Sequence, residues 1–241
     1  MALSSQGKEP PGKPGRFNPN LPHLLVIANA LGELCEHVVF LGGAVVGLLV
    51  SDPLAENVRA TYDVDAVVNL DWSRFRGIEA RVESQGFARE MQSGVVCRWV
   101  HEASGVLFDL MPVDAGVLGF SNRWYAHAVE TAQVVALSDR LSIRLVTATA
   151  FVATKLEAFV TRGNSDFLSS HDLEDVLNVV DGRAELVEEL AVEHADLRYW
   201  VAGVFVELVD NPAFVNALPG LVAEPERASV VLQRLGTIAS A

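Results

Sequence analysis

Asp63 and Asp65 are the two residues whose types and spacing point most directly to chemistry. They open the segment Asp-Val-Asp-Ala-Val-Val, which has the composition of a β-strand. Because residues two apart in a strand point to the same face, the two carboxylates are expected to be neighbours. Neighbouring carboxylates repel each other unless a cation lies between them, and Mg²⁺ prefers such oxygen ligands. Taken alone, an Asp-x-Asp pair also fits an exposed strand edge that binds no metal.

Two further features favour a metal site. Asp109 lies in the middle of the apolar strand segment 106–111, whereas Asp114 follows that strand and is expected to lie at the surface. Gly42 and Gly43 separate a β-type run from a helical one, where glycine allows backbone N–H groups to approach a phosphate closely. Three carboxylates on adjacent strands beside a glycine turn predict a two-metal phosphoryl-transfer site. In it Asp109 binds metal and accepts the proton of the attacking hydroxyl.

The elements that position these residues follow from the spacing of apolar side chains. Helical spacing or β-type alternation before residue 147 is found in segments 24–34 (helix), 37–41 (strand), 44–50 (helix), 63–70 (strand), 75–85 (helix), 95–101 and 106–113 (a hairpin), 134–137 and 142–146 (strands). Helical spacing alone follows in segments 149–162, 172–180, 183–195, 197–209 and 229–239. We therefore expect an α/β (α+β) half followed by a helical half.

The composition sets the boundaries of these parts. Hydrophobic residues make up 50% of the 241 residues and charged residues 20%, which is typical of a globular protein. Residues 1–20 are rich in proline and glycine and are interpreted as a flexible tail. The sequence then predicts an α/β domain over residues 21–146 and a helical domain over residues 147–241.

The charge distribution limits the contact with nucleic acid. The chain has 31 acidic and 18 basic residues, a net charge of −13. Residues 161–241 contain fourteen Asp and Glu against five Arg, so the helical half is strongly acidic. Binding to a nucleic-acid backbone requires Lys and Arg at the phosphates, so any such partner is expected at the first two-thirds of the chain.

The remaining composition indicates a cytoplasmic protein without membrane contact. Cys35 and Cys97 lie in apolar surroundings without metal-ligand spacing, so we expect buried free thiols. The longest apolar runs are interrupted by glycine and are too short for a membrane span. The first residues lack the order of a signal peptide.

The order of these motifs resembles that of the AbiEii-type nucleotidyltransferases. These are the toxin components of abortive-infection and type IV toxin–antitoxin pairs in the polymerase-β-like superfamily. The resemblance covers residues 38–180 and rests on this series: Gly-Gly-Ala, Arg59-x-Thr61-x-Asp63-x-Asp65, Lys155-x-x-Ala158 with Arg162, and Asp172-x-x-Asp175. It implies a mixed sheet flanked by helices, followed by a helical C-terminal domain.

The resemblance also implies roles for individual residues. Asp63 and Asp65 would bind Mg²⁺, and Lys155 would meet the triphosphate. Together with Asp109, which the strand pattern adds as a third metal ligand, they form the predicted catalytic set. The NTP would be bound by a larger group of residues: Gly42, Gly43, Arg59, Thr61, Lys155, Arg162, Asp172 and Asp175. Within that group, Arg59 and Thr61 would support the metal-binding strand, and Asp172 would lie near the base or the acceptor.

Two positions depart from the family pattern. Many members have Gly-Ser where this chain has Gly42-Gly43, so no serine hydroxyl is available to the phosphates there. His171 stands where the family usually has Arg before its first downstream Asp, which leaves the acceptor and nucleotide preference open.

The resulting hypothesis is an enzyme that transfers a nucleoside monophosphate from an NTP to an acceptor hydroxyl. The acceptor would be RNA, including a tRNA 3′ end, or a protein, and a cognate antitoxin is a possible partner. Two alternatives stay open. One is an aminoglycoside-type antibiotic adenylyltransferase, whose cationic substrate would suit an acidic protein. The other is a non-catalytic interaction module with the same fold.

Overall fold

The computed structural model describes residues 18–52, 58–162 and 166–240. In this part of the chain a seven-stranded mixed sheet has the strand order β3-β4-β5-β2-β1-β7-β6. Its strands are Val39–Leu41 (β1), Asp63–Val68 (β2), Phe87–Arg89 (β3), Arg98–His101 (β4), Leu107–Pro112 (β5), Gln133–Ser138 (β6) and Leu141–Leu145 (β7). The pairs β2–β5 and β1–β7 are parallel, and the other neighbouring pairs are antiparallel.

Helices precede, flank and follow the sheet. They are Leu21–Leu31 (α1), Val46–Leu49 (α2), Trp72–Ser84 (α3), Ala115–Leu118 (α4), Tyr125–Thr131 (α5), Ala148–Arg162 (α6), His171–Gly182 (α7), Leu186–Ala191 (α8), Ala195–Val209 (α9), Pro212–Leu221 (α10) and Ala228–Ala239 (α11), with 3₁₀ turns at Gly32–Glu36, Gly43–Val45 and Pro225–Arg227. The predicted α/β fold with a mixed sheet and a helical C-terminal region is confirmed. The last strand ends at Leu145, close to residue 147, after which the sequence shows helical spacing alone.

Strand β2 is buried except at its two carboxylates. Val64, Ala66 and Val67 of β2 have no exposed surface, which is typical of a strand covered on both faces. Asp63 and Asp65 are the half-buried exceptions on one of those faces. Burial of the surrounding apolar side chains therefore fixes the register of β2, and with it the direction of both carboxylates.

Helix α6 joins the sheet region to the helical region. It contacts α5, α7 and α9, and its apolar residues are buried on almost all sides. The hydrophobic core is continuous, from α1 and the sheet through α6 to α11. α6 can therefore hold a polar side chain at a fixed position relative to the sheet.

Most predicted elements are found within a few residues of their expected limits, including the hairpin formed by β4 and β5. The helix expected over 183–195 is wrong in length, because only Leu186–Ala191 is helical. The helix expected over 44–50 is divided into the 3₁₀ turn Gly43–Val45 and the single turn of α2. Strand β3 and helices α4, α5 and α10 were not predicted. For α10 the prolines explain the omission: Pro212 opens the helix and Pro219 lies in its last turn.

The two cysteines are free and buried, as expected. Burial is the main cause that raises the pKa of Cys35 to about 11 and that of Cys97 to about 12. Within the described ranges, no single helix has the length and apolar composition of a membrane span, although the bent pair α9 and α10, at 95° to each other, would satisfy both criteria together.

Candidate functional site

The register of the sheet brings the three predicted carboxylates together. Asp65 of β2 lies directly beside Asp109 of the parallel strand β5. Asp63 precedes Asp65 by two residues and therefore points to the same face. In the antiparallel pair β4–β5, Arg98 lies directly beside Asp109. One face of the sheet thus presents three carboxylates and one guanidinium on three adjacent strands.

Arg98 is the residue of this group that sequence reasoning missed. Its Nε lies 2.8 Å from Oδ1 of Asp109, and its Nη2 lies 2.7 Å from Oδ2 of the same residue. Nη2 also lies 2.9 Å from Oδ2 of Asp63. The hydrogen bonds to Asp109 are the main cause that raises the pKa of Arg98 above its usual range. Counting outwards from the four-residue loop 102–105 would have paired Arg98 with Asp109 from the sequence alone.

Asp65 differs from its two neighbours because it has no partner. Among the described residues, no hydrogen bond or ion pair reaches its carboxylate, whereas Asp63 and Asp109 both accept from Arg98. Burial, followed by repulsion from Asp63 and Asp109, raises the pKa of Asp65 to about 8. Lys155 and Arg98 act in the opposite direction but do not offset this rise. The carboxylate is therefore placed where an added cation would be stabilised.

The glycine turn lies against Asp65. Gly42 has a φ of +77°, and a Cβ built on it would lie 1.9 Å from Oδ2 of Asp65. A side chain at this position would collide with the carboxylate and would also strain the backbone. A Cβ on Gly43 would lie 3.1 Å from Nη2 of Arg59 and 3.2 Å from Oδ2 of Asp175. The two glycines therefore bring backbone into close contact with two different acidic groups.

The contact of Gly42 with Asp65 yields a testable prediction. Gly42→Ala should cost about 1 kcal/mol for the positive φ, and it should further displace Asp65 because the new methyl group takes its place. Gly119→Ala is a matched control, since Gly119 has a φ of +84° and a Cβ added to it would meet no atom within 4 Å. Thermal melts should show a loss in both variants, and titration with an NTP analogue and Mn²⁺ should show weaker binding for Gly42→Ala alone. Equal binding by both variants would contradict the prediction.

The segment before β2 is held to that strand by hydrogen bonds. Oγ1 of Thr61 donates a 2.6 Å hydrogen bond to Oδ1 of Asp63. The fully buried side chain of Asn20 donates to the carbonyl of Arg59 and accepts from the backbone N–H of Thr61. Asn20 therefore holds the backbone of Arg59 and Thr61 in place beside β2. From the sequence, Asn20 was expected at the end of the flexible tail. The rest of that tail, residues 1–17, lies outside the described residues.

A second charged cluster centres on Lys155 of α6. Its Nζ lies 2.8 Å from Oδ2 of Asp175 and 3.0 Å from Oδ1 of Asp172, both on α7. Nη2 of Arg59 lies 3.5 Å from Oδ2 of Asp175. Burial acts to lower the pKa of Lys155, but Asp175 and Asp172 outweigh it and raise this pKa above its usual range. The exposed Arg162 reaches Oδ2 of Asp172 at 3.4 Å.

The two clusters are continuous. Gly42 contacts Asp65, the next residue Gly43 lies beside Arg59 and Asp175, and Lys155 acts electrostatically on Asp65. All eleven site residues predicted from the sequence are therefore linked in one region. His171 is exposed and pairs with Glu174 at 3.1 Å within the first turn of α7. Asp114 lies outside the region and caps α4 by accepting from the backbone N–H of Gly116.

The donor set fits a divalent cation in its chemistry, because it offers hard carboxylate oxygens and because no described residue pairs with the half-buried Asp65. In the part of the chain that the structure describes, no group of three or more His, Cys, Asp or Glu side chains is already arranged as a metal site. Arg98 instead bridges Asp63 and Asp109. Asp63, Asp65 and Asp109 are thus the residues that could hold a metal.

No family model matches the chain, and no curated protein matches it significantly. The crystal structure of JHP933 from Helicobacter pylori is similar, with a TM-score of 0.49 and 12% sequence identity. The alignment covers 94% of this chain and 92% of that one.

Proposed function

We propose that this protein is a metal-dependent nucleotidyltransferase that moves a nucleoside monophosphate from an NTP to an acceptor hydroxyl. The observation that carries the proposal is the alignment of Asp65 with Asp109 across two parallel strands, with Asp63 on the same face. Carboxylates placed together repel one another, and a bound divalent cation would remove that repulsion. The contact of the glycine turn with Asp65 supports the proposal further.

In this reaction the acceptor oxygen attacks the α-phosphorus of the NTP, and the bond to pyrophosphate breaks. Asp63, Asp65 and Asp109 would hold Mg²⁺, which supplies charge neutralisation for the phosphates and a lower pKa for the attacking hydroxyl. A carboxylate oxygen of Asp109 would take the proton of that hydroxyl. Gly42 and Gly43 would offer backbone N–H groups to the phosphates, and Lys155 would contribute its ammonium group.

A cleft beside Arg98 is the place where we expect the acceptor. It has a volume of about 670 Å³ and is lined by residues of β3, β4, β5 and the loop after β3: Arg89, Glu90, Met91, Gln92, Ser93, Arg98, Val100 and Leu107. The glycine turn follows β1, on the opposite side of the carboxylates in the strand order. A nucleophile must approach the α-phosphorus opposite the leaving group, so the NTP phosphates and the acceptor belong on opposite sides.

The acceptor class that we propose is RNA, including a tRNA 3′ end, or a protein, in a toxin of the AbiEii type acting in the cytoplasm. The net charge of −13 favours one competing function, an aminoglycoside-type adenylyltransferase with a cationic substrate. Expression in a susceptible host separates the two functions. Growth arrest that depends on Asp65 supports the toxin, and protection against aminoglycosides supports the antibiotic enzyme.

The direct test incubates the purified protein with each α-labelled NTP, Mg²⁺ and total tRNA or cell extract. We expect label on a macromolecular acceptor from the wild type and at least a hundredfold less from Asp65→Ala, because loss of a group that stabilises the transition state typically has this effect. Asp114→Asn should keep full activity, because Asp114 is an exposed helix cap outside the site. The proposal fails if no NTP labels any acceptor, or if Asp65→Ala labels it as well as the wild type does.

A further inference from the structure

Arg98 donates short hydrogen bonds to two of the three carboxylates. Three of its hydrogen bonds, all between 2.7 and 2.9 Å, go to Asp63 and Asp109. The side chain of Asp109 is only 9% exposed and that of Arg98 only 17%, so water screens the attraction poorly. The guanidinium thus pairs with two of the three carboxylates that a metal would need.

Arg98 and a metal compete for the same carboxylates, because both are cations. Both oxygens of Asp109 accept from Arg98, through Nε and Nη2. A divalent cation bound by the same carboxylates would also repel the guanidinium at short range. Arg98 already lines the open cleft beside β4, so its head group has space to move into on that side. The same cleft is lined by the uncharged Val100 and Leu107 and by Arg89 and Glu90, which carry opposite charges.

We propose that Arg98 is a positioning residue that holds Asp63 and Asp109 together in the metal-free protein and exchanges places with the metal. This inference rests on the proposed function, because it requires that the carboxylates bind a metal. Arg98 lowers the affinity for the metal, since the two cations repel each other and compete for the same carboxylates, but it keeps the carboxylates from separating while the site is empty. When the metal binds, the guanidinium of Arg98 moves toward the acceptor cleft.

The test compares wild type, Arg98→Met and Arg89→Met. Arg89 is a matched control, because it lies on the neighbouring strand β3 and is also ion-paired, but with Glu79 rather than with the carboxylates. Mn²⁺ binding would be followed by electron paramagnetic resonance, with and without a non-hydrolysable NTP analogue. Thermal melts in EDTA and in Mn²⁺ would be recorded on the same samples.

For Arg98→Met we expect Mn²⁺ affinity about tenfold higher than in the wild type, since the nearby guanidinium opposes the binding of a second cation. We also expect a lower melting temperature in EDTA and a larger rise on adding Mn²⁺. Arg89→Met should melt lower but bind Mn²⁺ as the wild type does. If Arg98→Met does not fold, Arg98→Gln is used, because it keeps a hydrogen-bond donor and removes the charge.

The two ways of failing can be told apart. Normal Mn²⁺ binding by the wild type, with equal or weaker binding by Arg98→Met or Arg98→Gln, would overturn the exchange and leave the proposed function standing. A gain in affinity by Arg89→Met of the same size would also overturn it, because the effect would then be general electrostatics. Absence of Mn²⁺ binding in every variant, even with the NTP analogue, would overturn the proposed function and this inference together.

Discussion

Asp65→Asn should make the metal-free protein more stable at pH 8 while it abolishes nucleotidyl transfer. In the wild type, burial and the neighbouring carboxylates raise the pKa of Asp65 to about 8, so the fold opposes its ionisation. Asparagine has the shape of the carboxyl group without the charge. Because the side chain of Asp65 has no hydrogen-bond partner among the described residues, the substitution removes repulsion without breaking a bond.

The pH dependence of this effect has a defined sign. The unfolded chain ionises Asp65 near its usual value of 3.8, and the folded protein does so only near pH 8. The folded state therefore binds the proton more strongly, and the stability that this provides is complete below about pH 4 and is lost as the pH rises towards 8. The advantage of Asp65→Asn should accordingly grow from near zero at pH 4 to about 2 kcal/mol or more at pH 8, allowing for partial solvent access.

Urea unfolding in EDTA, at one ionic strength and in steps from pH 4.5 to about 8.5, would measure this difference. Asp114→Asn is the control, because it also replaces an acid with asparagine, but at an exposed cap where asparagine is equally suitable. Adding Mn²⁺ should reverse the order and stabilise the wild type alone. A difference that is independent of pH, or that favours the wild type in EDTA, would show that Asp65 is not the strained group we infer.

Part of this site can be predicted from the sequence because it depends on local geometry. The two-residue period of a strand places Asp63 and Asp65 on one face. The short loop of the β4–β5 hairpin fixes Arg98 beside Asp109, although the hairpin prediction was not extended to that pair. What the period cannot give is the parallel pairing of β2 with β5, because helix α3 and strands β3 and β4 intervene between them in the chain.

Other parts of the site depend on long-range packing. Asn20 follows a proline-rich segment and resembles a loop residue, yet it is fully buried, because the backbone groups of Arg59 and Thr61 supply its hydrogen bonds. The spacing of Lys155 and Arg162 puts both on one face of α6, but only the packing of α7 decides which of them is buried. The family pattern marked Lys155 and Asp175, whereas their mutual contact is a property of the tertiary fold.

Lys155→Met should be the most destabilising single substitution in the charged cluster. Asp175 is only 2% exposed, and Lys155 is its nearest cation at 2.8 Å, while Arg59 lies at 3.5 Å. Removing one partner of a buried pair leaves an uncompensated charge, which typically costs about 3 to 5 kcal/mol. Arg59 compensates in part, so we expect about 3 kcal/mol for this site. Urea unfolding at pH 7 would measure it.

Arg162→Met is the matched control, because Arg162 lies on the same face of α6 and also pairs with α7. Its side chain is 75% exposed, and it reaches Asp172 only at 3.4 Å. An exposed pair of this kind contributes little to stability. If Arg162→Met costs as much as Lys155→Met, the loss comes from the surface of α6 and not from the buried pair.

The double variant Lys155→Met, Asp175→Leu separates stability from function. Replacing both partners of a buried pair by apolar residues is often close to neutral, so most of the stability lost in Lys155→Met should return. NTP binding should not return, because the ammonium group that we propose for the triphosphate is still missing. Calorimetric titration of the double variant with an NTP analogue and Mg²⁺ therefore tests the role of the Lys155–Asp175 pair in a folded protein. Binding equal to that of the wild type would show that Lys155 stabilises the junction of α6 and α7 and does not meet the nucleotide.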